Sequence, residues 1–136
     1  MIEAVHRGAS DPQLSGIEVR VITAAEAQPE DLLSADGLIL GTPENFGYMS
    51  GALKDFFDRS FYEVEGKLAP LPYAIVINAG NDGSGAQRSI ERIANGYPFI
   101  RVQEPIIAHG PPDSATLERC AELGGALAAG LELGLY

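Results

Sequence analysis

Apolar and polar positions along this chain alternate between two periods. Ile2, Val5 and Ala9 recur at helical spacing, and Gly8 with Ser10-Asp11-Pro12 punctuates the end of that helix. Ile17-Glu18-Val19-Arg20-Val21-Ile22 alternates strictly, the pattern of a strand covered on one face. Pro29 to Leu33 predicts a short helix. Gly37-Leu38-Ile39-Leu40 is a wholly apolar strand of the kind buried on both faces. From Ala52 the period returns to helical, with Leu53, Phe56, Phe57 and Phe61 on one side. Lys54/Asp58 and Asp55/Arg59 stand one turn apart on the rest. Tyr73-Ala74-Ile75-Val76-Ile77 predicts a second buried strand. A helix follows that buries Ala86, Ile90, Ile93 and Tyr97. Phe99 to Ala108 reads as a further strand, with Pro105 marking an edge or a bulge. A last helix is expected from Ser114 to about residue 129.

Strands alternating with helices predict a parallel sheet covered on both faces, with Ile39 and Ile75 in central strands. The 136 residues fit one domain spanning the chain. No apolar run reaches membrane-spanning length, and the start of the chain lacks a secretory pattern. The single Cys120 excludes an internal disulfide and a cysteine-rich zinc site, so a cytoplasmic protein is expected.

Charge narrows the partners. The net charge is −10, with only 9 Lys and Arg spread along the chain. Nucleic acid demands clustered cations and is excluded. An acidic surface serves solubility, or a basic redox partner.

Two loops carry the candidate chemistry. Gly41-Thr42-Pro43-Glu44-Asn45-Phe46-Gly47-Tyr48-Met49-Ser50-Gly51 joins a strand to a helix and holds three glycines, one proline and two aromatics. Glycine permits close backbone approach, and the rings of Phe46 and Tyr48 suit a flat ligand. In open α/β sheets such loops sit where ligands bind. The alternative is a turn whose rings pack on the core. The second loop is Asn78-Ala79-Gly80-Asn81-Asp82-Gly83-Ser84-Gly85. It either presents backbone N–H groups to a ligand or simply caps the next helix through Asp82 or Ser84. A phosphate cradle at Gly83 and Gly85 lacks the order and the lysine of a P-loop. His6 and His109 are isolated, and no metal-ligand spacing is present. Glu44 with Glu63 or Glu65 offers an acid–base pair only if the fold brings them together.

The segment Gly41–Arg59 resembles the third-strand loop and helix of flavodoxin-like FMN proteins, closest to the NAD(P)H:quinone reductase and NADPH-dependent FMN reductase branch. The resemblance implies a flavodoxin-like three-layer sandwich and FMN as cofactor. It implies flavin contacts from Thr42, Pro43, Glu44, Asn45, Phe46, Gly47 and Tyr48, and from Asn78, Gly80, Asn81, Asp82 and Gly83. It further implies electron transfer from NAD(P)H to a quinone or similar acceptor, with no catalytic triad needed because the flavin carries the chemistry. The reductase branch is often oligomeric, so a homo-oligomer is expected. Ile2–Ala9 fits the C-terminal half of the family's first helix. The family's first strand and Ser/Thr-rich phosphate loop have no counterpart in this sequence. Three arrangements fit that gap: a fragment of a longer protein, a sheet rearranged or completed by another chain, or a variant with weakened FMN binding. Within the same fold a pure electron carrier is the alternative activity. A cofactor-free interaction domain is the alternative class. A phosphoacceptor receiver is set aside, because Gly41 stands where it would need an aspartate.

Overall fold

The computed structural model describes residues 1–136. Its elements run α1 (Ile2–Ala9), α2 (Pro29–Leu33), β1 (Leu38–Pro43), α3 (Gly51–Val64), β2 (Leu71–Ala79), α4 (Ser84–Ala94), β3 (Phe99–Arg101), β4 (Ile106–His109) and α5 (Ser114–Glu132). All strand pairs are parallel. β2 lies at the centre, with β1 on one side and β3 and β4 on the other.

β2 shows why the sheet has helices on both faces. Its side chains alternate between two cores. Tyr73, Ile75 and Ile77 join Leu32 of α2, Phe56 and Phe57 of α3 and Ile90 of α4. Ala74 and Val76 face the other way, onto Val5 of α1 and Cys120, Leu123 and Leu127 of α5. Every residue of β2 except Asn78 is buried, as a central parallel strand requires. Backbone contact brings α1 and α5 together: a Cβ on Gly124 would stand 2.2 Å from the Val5 carbonyl oxygen, and one on Gly8 1.9 Å from that of Ala121.

Side chains fix the starts of the helices. Ser50 Oγ accepts from the Leu53 amide at 3.2 Å at the head of α3. Asp113 accepts from Thr116 at 2.8 Å at the head of α5, and Gln28 with Asp31 forms a capping box on α2.

Four expectations are corrected. Ile17–Ile22 is not a strand; it makes no backbone–backbone hydrogen bond, and Val21 and Ile22 are exposed. Its alternation marks a segment suited to a ladder, but no strand lies beside it. It is tethered instead by Arg20, 3.2 Å from Asp31 and 3.2 Å from Ser34 Oγ. For the same reason β1 is an edge strand rather than a central one, paired only with β2. The expected Phe99–Ala108 strand is two strands sharing one lane. Tyr73 pairs Arg101 and Val76 pairs Ile106, so Val102–Pro105 spans what β2 covers with Ala74 and Ile75. Pro105 stands in that break, in a lane paired only with β2, which is the edge position it marks. Finally, Tyr97 is buried but follows α4, donating its hydroxyl to the Phe57 carbonyl at 2.8 Å. Smaller shifts lengthen β1 through Pro43, β2 through Ala79 and α5 to Glu132.

Candidate functional site

The C-terminal ends of β1, β2 and β4 lie side by side, because Pro43 pairs Asn78 and Ala79 pairs His109. The loops that leave them form the rim of the sheet, the place where parallel α/β sheets bind ligands.

The loop after β1 is a tight turn built from within. Asn45 and Tyr48 exchange two backbone hydrogen bonds, at 2.9 and 3.0 Å. The two residues between them are left-handed, Phe46 at φ 51° and Gly47 at φ 67°. Positive φ at both central residues is the geometry of a type I′ turn, which normally takes Asn-Gly. A phenylalanine there is strained by about 1 kcal/mol. Its ring gains nothing from packing, since it is fully solvent-exposed. The core-packed turn is therefore ruled out for Phe46; Tyr48 is 41% exposed beside it.

Polar side chains expected to face a ligand are used partly inside. Thr42 is buried; its Oγ1 accepts from the Ser50 amide at 2.9 Å and donates to the Pro43 carbonyl at 2.8 Å. Ser89 of α4 accepts from the Met49 amide at 3.1 Å. Asn78 donates its side-chain amide to the Gly110 carbonyl at 2.6 Å and thereby fixes the loop after β4.

Glu44 crosses between the two loops. Its carboxylate accepts from the amides of Gly83, Gly85 and Ala86, at 3.3, 3.0 and 3.1 Å. It thus caps α4, whose own N-cap Gly83 supplies no side chain. Asp82, expected as a cap, takes the first amide of the helix: it accepts from the amide and hydroxyl of Ser84, at 3.0 and 2.9 Å. These bonds hold the Asp82 carboxyl below the usual carboxylate range, and the nearby charges of Arg88 and His109 add to the effect. The Gly83–Gly85 amides are occupied by a protein carboxylate, so they form no phosphate cradle. Glu63 and Glu65 stand at the far end of α3, 14 residues and about 21 Å along the helix, so the suggested acid–base pair does not form.

What remains free is backbone. The amides of Phe46, Gly47, Gly80, Asn81 and Asp82 have no hydrogen-bond acceptor in the protein. A Cβ on Gly47, Gly51, Gly80 or Gly110 would meet nothing within 4 Å, so the rim above the strands is open. An exposed aromatic ring on one loop and a run of free N–H donors on the loop it touches fit a flat heterocycle with acceptor atoms along one edge, which is the chemistry of an isoalloxazine. Three residues of this rim escaped sequence reasoning: Ser89, Gly110 and the carboxylate role of Glu44. Their partners lie 32 to 42 residues away, and no local pattern announces them.

This sheet, with helices on both faces and ligand-sized loops at its C-terminal rim, defines a flavodoxin-like α/β protein. Residues 13–108 match the family described as NADPH-dependent FMN reductase, and the chain belongs to that family. A protein named flavodoxin from Aquifex aeolicus is 44% identical over 144 residues, covering 94% of this chain and 77% of its own. An NAD(P)H dehydrogenase (quinone) from Acidithiobacillus ferrooxidans is 28% identical over 104 residues, 75% of this chain and 50% of that protein. The chain thus spans half the length of that dehydrogenase. Among solved structures, a flavodoxin from the domain Archaea superposes with a TM-score of 0.77 at 19% identity, over 96% of this chain and 87% of the other. No helix is long and apolar enough to cross a membrane, and no group of three or more His, Cys, Asp or Glu is placed to hold a metal ion.

Proposed function

We propose that this protein binds FMN at the rim of the sheet and passes electrons from NAD(P)H to a quinone or similar small acceptor. The observation that carries the reading is Phe46: a strained, fully exposed ring on a loop that touches the start of α4, with free amides at Gly80, Asn81 and Asp82 on the loop that leads into that helix. The strained backbone at Phe46 costs stability and its exposed ring returns none through packing, so a ligand is the natural beneficiary. Family membership and the quinone-dehydrogenase relative support the same reading.

Bound there, FMN would supply the hydride and electron transfer, and the protein would bind and orient it. Phe46 and Tyr48 would flank the ring system. The amides of Gly80, Asn81 and Asp82 would donate to its polar edge. Asn45 and Pro43 border the same opening, while Thr42, Glu44, Asn78 and Gly83 act behind it by shaping the loops.

Titrating FMN into the purified protein while recording the visible spectrum tests the cofactor. Shifted flavin bands and quenched flavin fluorescence are expected. NADPH or NADH oxidation that depends on an added quinone then tests the activity. A spectrum that never departs from free FMN removes the proposal.

A second reading is a flavodoxin-type electron carrier. The net charge of −10 and the relative named flavodoxin favour it. A carrier would bind FMN yet oxidise NAD(P)H no faster than free flavin, and would accept electrons from a reductase with a rate that falls as salt rises.

A further inference from the structure

We infer that Glu44 is a positioning residue: its carboxylate, clamped on the start of α4, holds the Asn45–Tyr48 turn in the strained form that presents the Phe46 ring. The inference rests on the flavin reading for its consequence, and on hydrogen bonding alone for the clamp itself.

A cap for α4 was available nearby. Asp82 and Ser84 both precede or begin the helix, and either could serve its free amides. Asp82 takes only one of them, the Ser84 amide, together with the Ser84 hydroxyl. The Gly83, Gly85 and Ala86 amides go to Glu44, which lies 39 to 42 residues away. A local cap would satisfy the helix equally well. Only a cap from the other loop also fixes where that loop stands.

Glu44 is suited to the task at both ends. Its own amide donates to the Asn78 carbonyl at 2.9 Å, so its backbone is tied to β2. Its two carboxylate oxygens take three amides at a helix N-terminus, where a negative charge is favoured and such bonds are stronger than neutral ones. The next residue, Asn45, opens the turn. Phe46 cannot hold φ 51° by its own preference, and its exposed side chain adds no packing. The restraint must come from the flanks. One flank is the Glu44 clamp. The other is the Met49 amide on Ser89 of the same helix, at 3.1 Å. The turn is thus pinned to α4 on both sides, and the second loop ends where that helix begins.

The test compares wild type, E44A, E44Q, F46A and E44A/F46A. FMN affinity is read by quenching of flavin fluorescence. Amide exchange of Asn45 and Tyr48 is read in the flavin-free protein. E44A is expected to weaken FMN about tenfold and to speed exchange of both turn amides. E44Q keeps one acceptor oxygen at nearly the same size and should recover part of both losses. In the F46A background, E44A should cost no further FMN affinity, because the ring it positions is gone. An equal loss in both backgrounds would reduce Glu44 to a plain helix cap, and unchanged turn exchange in E44A would overturn the clamp. Failure of the wild type to bind FMN would remove the flavin reading instead, and turn exchange would then decide the clamp by itself.

Discussion

The carbonyl oxygen of Gly47 sits 2.0 Å from where a Cβ on Gly85 would stand. The two rim loops therefore touch backbone to backbone, and no side chain fits between them. Replacing Gly85 with alanine must push the Phe46 turn away from α4. Overpacking of this kind costs about 1–3 kcal/mol. G85A should lower the unfolding midpoint and weaken FMN, with the greater loss in FMN because the displaced turn carries the ring. Thermal unfolding with and without FMN measures both. A G85A protein with unchanged FMN affinity would mean that the turn does not face the flavin.

Phe46 offers the opposite exchange. Asparagine tolerates the left-handed region far better than phenylalanine and makes the Asn-Gly pair that a type I′ turn prefers. No burial is lost, since the ring is fully exposed. F46N should stabilise the flavin-free protein by about 0.5–1 kcal/mol, a rise of about 3 °C in midpoint, while weakening FMN. Calorimetry of the flavin-free variant and a flavin titration check the two halves separately. A fall in midpoint would contradict the strain; unchanged affinity would contradict the ring's role.

Stability should fall at alkaline pH through Tyr97. Burial pushes its phenol up to about 12 from 10.0, and the neutral hydroxyl donates to the Phe57 carbonyl. Between those values the unfolded chain releases a proton that the folded chain keeps, so rising pH favours unfolding. The contribution is intact below pH 10 and is lost as pH climbs toward 12, on the order of 2 kcal/mol. Burial also raises Tyr73, which adds to the same slope. Urea midpoints from pH 9 to 12 should decline, and Y97F should flatten much of the decline while costing about 1 kcal/mol at neutral pH for the lost hydrogen bond. An equally steep decline in Y97F would place its cause elsewhere.

What could be read in advance follows from range. The helices and β2 were legible because their periodicity is local: Leu53, Phe56 and Phe57, or Tyr73 through Ile77, declare their burial within a few residues. The loop after β1 was legible as a turn from its glycines and proline. Its working parts were not. That Thr42 turns inward, that Ser89 reaches Met49, and that Glu44 joins Asp82 in capping α4 depend on which loops the sheet register sets side by side. The error at Ile17–Ile22 has the same root. Alternation reports a capacity to pair, and pairing also needs a neighbour.

That segment and the outer edge of β1 are both open to solvent exchange. Ile17–Ile22 has no backbone hydrogen bond, and Leu38–Pro43 is paired on one side only. Amide exchange protection follows hydrogen bonding and burial. The amides of Ile17–Ile22 and those β1 amides that point away from β2 should exchange fast, while Ala74 to Ile77, paired and fully buried, should exchange slowest. An open parallel edge is also a template for another strand. If Ile17–Ile22 instead exchanges slowly, and the protection grows with protein concentration, then a second chain covers the edge in solution. If the protection is independent of concentration, the segment finds a partner within the chain, and the pairing described for β1 is incomplete.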